Sequence, residues 1–96
     1  MSDLMGKALE AVKKKLENED IGASVKFQID GEASIMVDSD GIRIEDGEAE
    51  CTLIADFDTV SELMAGELSP TGAFMSGRLK VEGSMSIAMQ LSSIFS

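Results

Sequence analysis

The sequence predicts an α+β fold in which one sheet of five mainly antiparallel strands is covered on one face by helices. Two patterns support this prediction. Between residues 23 and 55, and again over 78–82, apolar residues alternate with polar ones, which is typical of half-buried strands. Near the start of the chain and after residue 56, apolar residues recur at helical spacing instead. A chain of 96 residues has room for one core, so we expect a single domain over 1–96.

The first helix is expected over residues 3–17, where Ser2 or Asp3 can cap the first free backbone amides. Its apolar stripe consists of Leu4, Met5, Ala8, Leu9, Ala11, Val12 and Leu16. The three lysines at 13–15 suit the negative end of a helix, and we interpret them as a solvated helix end. The alternative interpretation is a patch that touches membranes.

Four strands follow, and Asp-Gly pairs at positions 30–31, 40–41 and 46–47 separate them. Asp-Gly supplies the positive φ angles that tight hairpins need, so three such pairs predict an antiparallel meander with one apolar and one wet face. The inward positions are then Val25, Phe27, Ile29, Ala33, Ile35, Val37, Ile42, Ile44, Ala49, Cys51, Leu53 and Ala55.

Two short helices and a fifth strand are expected next. Asp56 can cap a helix that Gly66 ends, and Ser69 followed by Pro70 suits the start of a shorter helix that Gly77 ends. The strand over residues 78–82 points two apolar side chains inward, those of Leu79 and Val81.

The last helix follows Gly83 and the capping residue Ser84, and it is unusually apolar. Well over half of its circumference is covered by Met85, Ile87, Ala88, Met89, Leu91, Ile94 and Phe95. Because a helix packed on a sheet needs an apolar stripe of only about 100°, we expect this helix to bury more than one face.

Composition excludes several classes of function. The formal charge of −10 opposes nucleic acid, and the absence of histidine removes the commonest general base and transition-metal ligand. A single cysteine forms neither an internal disulfide nor a zinc set, and we interpret Cys51 as a core residue. Since the start of the chain lacks a secretory signal pattern, a reducing cytoplasm is the default location. We predict no catalytic residue and no cofactor.

The stretch MVDSDGIRIEDGE matches part of a calcium-binding EF-hand loop at Asp38, Asp40 and Gly41. The first and twelfth positions, where carboxylates are required, are Met36 and Gly47. We therefore interpret the stretch as solvated turns and predict no metal site.

Seven methionines and four phenylalanines leave two interpretations open. Either these side chains complete the core, or some of them line a space for an apolar ligand. An empty cavity of ~300 Å³ would cost up to ~7 kcal/mol, so such a space must be filled or must collapse. Unbranched methionines can close around an empty site and reopen at modest cost.

The segment GELSPTGAFMSGRLKVEGSMSIAMQL, residues 66–91, resembles the sterol carrier protein family. Arg78 stands conservatively in a lysine position of the family pattern. The residues that match the pattern directly are Gly66, Pro70, Ala73, Phe74, Gly77, Leu79, Lys80, Val81 and Gly83. The resemblance extends from about residue 20 onward.

This resemblance implies helices that enclose an apolar tunnel against the sheet, without catalytic residues. The tunnel would take a fatty acid, fatty acyl-CoA, phospholipid or sterol. The residues implied as its lining are Phe57, Leu63, Phe74, Met75, Met85, Met89 and Leu91. Glu67 and Gln90 replace cations of the family pattern, and the chain ends without the peroxisomal Ser-Lys-Leu signal of eukaryotic relatives. We therefore expect a fatty-acyl or quinone-type ligand of a bacterial, cytoplasmic protein rather than a sterol.

The function expected from these observations is non-catalytic lipid binding or transfer. This function is compatible with transient contact with a membrane. The lipid or fatty-acyl ligand is the expected partner, and the expected assembly is a monomer or weak homodimer. The alternative is an interaction module whose C-terminal helix dimerises or docks on a lipid-metabolising enzyme, because exposed apolar patches often mark such interfaces.

Overall fold

Four helices and five strands form the described part of the chain, residues 3–19 and 21–95 of a computed structural model. Their bounds are α1 (Asp3–Leu16), β1 (Val25–Ile29), β2 (Ser34–Asp38), β3 (Gly41–Ile44), β4 (Cys51–Ala55), α2 (Phe57–Ala65), α3 (Pro70–Met75), β5 (Leu79–Gly83) and α4 (Met85–Phe95). The predicted α+β class, with a mostly antiparallel sheet of five strands, is confirmed. The capping role predicted for Ser2 lies outside the described residues.

The strands lie side by side in the order β3-β2-β1-β4-β5. β1–β2, β2–β3 and β4–β5 are antiparallel pairs. β1 and β4 are parallel, with Val25 opposite Cys51 and Phe27 opposite Leu53. The sheet is therefore mixed, with one parallel pair at its centre.

The predicted meander is wrong at its third turn. The first two Asp-Gly pairs do connect antiparallel neighbours, and Gly31 and Gly41 have φ angles of 76° and 125°. The third pair lies in residues 45–50, which connect β3 at one edge of the sheet to β4 beside β1. Asp-Gly favours a local backbone conformation but does not determine which strand comes next to which, so the crossover gave no local signal.

Residues 45–50 cross the face of the sheet that carries no helix. On this face Lys26 donates a hydrogen bond to Asp46 over 3.1 Å. The Glu45 amide, at the start of this segment, still continues the β2–β3 pairing by donating to the Ser34 carbonyl over 3.0 Å. Met36 is opposite Lys26 in the β1–β2 pair and is buried. The predicted alternation therefore fails in β2, where Ser34, Ile35, Met36 and Val37 are all buried.

The main core lies between the other face of the sheet and the helices. α1 contributes Met5, Ala8, Val12 and Leu16, and it contacts α2 and β3. α4 contacts β4 and β5 at the other side of the sheet. Of the predicted inward strand positions, Ala33 is exposed, and Ala49 precedes β4 and is half-buried. Cys51 is buried as predicted, and burial raises the pKa of its thiol.

The predicted helix caps are confirmed in α2 and α3. Asp56 accepts a hydrogen bond from the Thr59 amide over 2.8 Å, and Gly66 ends α2 with a φ of 77°. Ser69 accepts a hydrogen bond from the Gly72 amide over 3.0 Å, and Pro70 is the first residue of α3. These caps fix the ends of both helices.

The turn from β5 into α4 requires glycine. Gly83 has a φ of 91°, and a β-carbon there would collide with the backbone carbonyl of Glu50. The Ser84 hydroxyl accepts a hydrogen bond from the Ile87 amide over 3.4 Å, which confirms its predicted capping role. No helix in the described part of the chain is long and apolar enough to span a bilayer.

Candidate functional site

An apolar groove of about 350 Å³ lies between α3, β5 and α4. Its lining residues are Leu53, Pro70, Thr71, Phe74, Leu79, Val81, Met85, Ala88, Met89, Leu91, Ser92, Ser93 and Phe95. The sheet supplies Leu53, Leu79 and Val81, and the two helices supply the rest. The volume lies within the ~300–1,000 Å³ range of ligand sites for small molecules.

The C-terminal half of α4 positions one wall of the groove. Leu91 and Phe95 are 1% and 2% exposed and hold the helix on the sheet. The ring of Phe95 contacts that of Phe27 in β1. The Gln90 side chain also donates a hydrogen bond to the Ile21 carbonyl over 3.1 Å, which ties α4 to the segment after α1.

The N-terminal half of α4 has an apolar face that remains exposed. Met85 is 53% exposed and Met89 is 69% exposed, and both line the groove. The expectation that α4 buries more than one face is therefore wrong, because Leu91 and Phe95 are its only fully buried residues among those described. The reason is geometric. α1 packs towards β3 at the opposite edge of the sheet, so it does not cover the outer side of α4.

Four of the seven lining candidates come together at this groove, namely Phe74, Met85, Met89 and Leu91. The other three do not line it. Leu63 is buried in the main core, Phe57 packs against that core from the start of α2, and Met75 is 81% exposed. Contact of these seven residues with a ligand remains a prediction.

Sequence reasoning missed the polar part of the lining. Thr71, Ser92 and Ser93 are polar residues of the lining, and the small residue Ala88 also belongs to it. The signal for Ala88 and Ser92 is helical spacing, because residues three or four positions from Met85 and Met89 share their face of α4. A choice based on side-chain size and apolarity passes over such small residues.

The described lining contains no ionisable side chain. Two cations flank the lining residue Leu79 in sequence, Arg78 and Lys80, and Arg78 forms an ion pair with Glu62 at 2.6 Å. This pair, together with the nearby carboxylates of Asp56 and Asp58, raises the pKa of the Arg78 guanidinium. The lining therefore offers an apolar chain a surface to pack on.

A second, more polar pocket of about 340 Å³ contains the carboxylates of Glu19, Asp38 and Glu50. Glu50 accepts a hydrogen bond from the Ser24 amide over 3.0 Å. Asp38 accepts one from Arg43 over 2.8 Å, and this bond lowers the pKa of Asp38. Across the described ranges, no three His, Cys, Asp or Glu side chains are grouped so as to hold a metal ion. We assign this pocket no ligand.

A family model described as the SCP-2 sterol transfer family matches residues 5–96. The chain is 40% identical over 65 residues to sterol carrier protein 2 of Rattus norvegicus, covering 67% of this chain and 11% of that protein. It is 36% identical over 100 aligned positions to sterol carrier protein 2 of Oryctolagus cuniculus, covering 86% of this chain and 18% of that protein. The chain thus spans less than a fifth of the curated relatives it matches.

The fold is similar to that of sterol carrier protein 2 from Aedes aegypti, solved in complex with palmitate. The TM-score is 0.78 at 21% identity, with 100% of this chain and 97% of that chain covered. At this identity the likeness supports the fold.

Proposed function

Because the chain belongs to the SCP-2 sterol transfer family, we propose that it binds the hydrocarbon chain of a lipid in the groove and transfers it without chemical change. The observation that supports this most strongly is the exposed apolar face of α4. Met85 and Met89 face an open space of ligand size instead of packing on another element. A bound hydrocarbon chain would complete their burial.

The energetics are favourable for such a ligand. Each methylene group removed from water contributes ~0.8 kcal/mol, so ten buried methylenes give a gross gain of ~8 kcal/mol. The gross gain by itself corresponds to an affinity on the order of micromolar, and ordering and association costs weaken the affinity from that limit. Methionine side chains can rotate around the chain as it enters, so the open groove would close into the predicted tunnel.

The proposed ligand is a fatty acid or another lipid with a long acyl chain. The palmitate held by the Aedes aegypti protein is such a molecule, and that protein has the same fold. The lack of ionisable groups in the described lining supports binding without catalysis. The acidic net charge and the buried Cys51 agree with a protein that avoids nucleic acid and works in the reducing cytoplasm.

Transfer also requires a route for the lipid to enter and leave. Phe74, Met75, Met85 and Met89 are each about half exposed or more and lie on α3 and α4. We propose that this apolar rim touches the membrane surface for a short time while the lipid passes into the groove. The same face of α4 could pack on a second copy, which would leave a weak homodimer in the absence of lipid.

The test is native mass spectrometry of protein purified from cells, followed by titration with a fluorescent long-chain fatty acid. Bound lipid and saturable binding are expected from the wild-type chain. The variant Ala88→Phe fills the groove, so displacement of two or three methylenes should weaken binding by about tenfold or more. The matched variant Ala65→Phe adds the same ring at the exposed end of α2 and should bind like the wild type.

Absence of saturable binding, or equal binding by wild type and Ala88→Phe, would exclude the groove as a lipid site. Sedimentation velocity across a concentration series distinguishes the alternative of an interaction module. A dimer that persists when the groove is saturated with lipid favours that alternative, whereas a monomer with lipid bound favours the carrier.

A further inference from the structure

We infer that the groove selects lipids with an uncharged head group, such as long-chain alcohols and esters, over lipids with several negative charges, such as acyl-CoA. This inference rests on the proposed function and narrows its ligand class. It depends on where the chain places its eight lysines and arginines, all of which lie within the described residues.

Half of these cations belong to α1. Lys7, Lys13, Lys14 and Lys15 lie on this helix, which contacts α2 and β3. The groove is built on β5 and α4, and β3 and β5 are the two opposite edges of the sheet. The lysines of α1 therefore belong to a helix that packs towards the β3 edge of the sheet, whereas the groove lies at the β5 edge.

The other four cations are paired with carboxylates or lie on another face. Lys26 bonds to Asp46 on the face without helices, and Arg43 bonds to Asp38 and Glu45 near the β3 edge. Arg78 is held by Glu62 and by the Thr59 hydroxyl, 3.2 Å from its Nε atom. Lys80 alternates in β5 with the groove residues Leu79 and Val81, so it projects from the opposite face.

What the groove does present to a head group is neutral. Its polar lining residues are Thr71, Ser92 and Ser93, and the hydroxyls of Thr71 and Ser92 can donate a hydrogen bond to, or accept one from, an alcohol or an ester. A phosphate or a CoA moiety at the mouth would meet no cation of the lining and would be repelled by the formal charge of −10. Because the lining is neutral and the cations of the chain lie elsewhere, the groove should select lipids by the charge of the head group.

The selection should depend on salt. The molecule extends over 31 × 26 × 22 Å, which is comparable to the Debye length of about 30 Å at 0.01 M salt. At this ionic strength the charge of the whole protein acts on a ligand at the groove. At about 1 M salt the Debye length is about 3 Å, and most of the repulsion is screened.

The experiment compares three ligands that share a twelve-carbon chain: dodecanol, laurate and lauroyl-CoA. Each competes with an uncharged fluorescent hydrocarbon probe for the wild-type protein at about 0.01 M and about 1 M salt. We expect lauroyl-CoA to bind at least about tenfold more weakly than dodecanol at low salt. This difference in affinity should become smaller at high salt. Equal or tighter binding of lauroyl-CoA at low salt would overturn the inference while leaving lipid binding intact. Failure of the uncharged probe to bind would overturn the proposed function itself.

Three variants test whether the selection by head-group charge arises at the groove. Met89→Lys places a cation at the groove and should strengthen lauroyl-CoA binding by roughly fivefold at low salt, without strengthening dodecanol binding. Met89→Gln removes the same apolar side chain without adding charge, and it should not strengthen lauroyl-CoA binding. Gln28→Lys adds the same charge at an exposed position of β1, on the face that also carries Lys26. If Gln28→Lys strengthens lauroyl-CoA binding as much as Met89→Lys does, the selection does not arise at the groove and the inference is wrong.

Discussion

The ring of Phe95 in α4 lies 6.2 Å, centroid to centroid, from the ring of Phe27 in β1, with an angle of 48° between the ring planes. This tilted pair anchors the last turn of α4 to one of the central strands of the sheet. The first turns of the helix are not anchored in the same way, and their apolar face borders the groove. The relationship between the two rings therefore positions the proposed lipid site.

Truncation of Phe95 should destabilise the fold strongly. Phe95→Ala removes a buried ring and its contact with Phe27, so the free energy of unfolding should fall by about 3–5 kcal/mol. Phe95→Leu retains most of the apolar volume and should cost less than about 1.5 kcal/mol. Urea unfolding followed by circular dichroism measures both. Equal losses for the two variants would contradict the packing described for this residue.

Met36 should contribute to stability although it lies on the face of the sheet opposite the helices. It is 3% exposed because residues 45–50 cross that face. Met36→Ala should lower the free energy of unfolding by about 2–3 kcal/mol in urea. Met75→Ala removes the same side chain at a position that is 81% exposed, and it should change stability by less than about 0.5 kcal/mol. A Met36→Ala cost as small as that of the control would show that the crossover does not cover this side chain.

The burial of Met36 shows what local sequence patterns can and cannot predict. Hydrophobic periodicity and turn residues located each helix and strand within a few positions, because helix caps and alternation are local properties. The parallel pairing of β1 with β4 is a long-range property, with Val25 and Cys51 far apart in sequence. The Asp-Gly pair at 46–47 therefore suggested a hairpin where the chain makes a crossover, and the burial of Met36 could not be predicted.

The N-terminal cap of α2 should make stability depend on pH. Hydrogen bonds from the Thr59 side chain and amide lower the pKa of Asp56 below its ordinary value of 3.8. A carboxylate whose pKa is lowered on folding stabilises the protein above its unfolded pKa, and this contribution is lost as the pH falls through the lowered folded pKa. Asp56→Asn keeps an acceptor for the cap but removes the titrating charge.

We therefore expect Asp56→Asn to be less stable than the wild type by about 0.5 kcal/mol at about pH 6, because an anion at a helix N-terminus is favourable. The difference should shrink at about pH 2.5, which lies below the ordinary pKa of 3.8 at which Asp56 of the unfolded chain takes up a proton. Urea unfolding at the two pH values measures it. A difference that stays constant between them would show that Asp56 does not titrate with a lowered pKa in the folded protein.

The groove could be predicted only in part from the sequence. Met85 and Met89 stood out because α4 is more apolar than packing on a sheet requires, and both lie at the groove. Leu63 shares their apolar character but is buried in the main core, and composition alone does not separate these two environments. Ser92 and Ser93 could be assigned to the site only once the position of α4 over β5 was known.

Methionine methyl groups allow the most direct test of lipid binding in the groove. The protein is labelled with ¹³C at the methyl groups of its seven methionines, and a long-chain fatty acid is titrated in while methyl spectra and intermolecular NOEs are recorded. We predict NOEs from the acyl chain to Met85 and Met89, and none to Met36 beneath the crossover. NOEs to Met5 and Met64 in the main core, with Met85 and Met89 unaffected, would contradict the assignment of the groove as the lipid site.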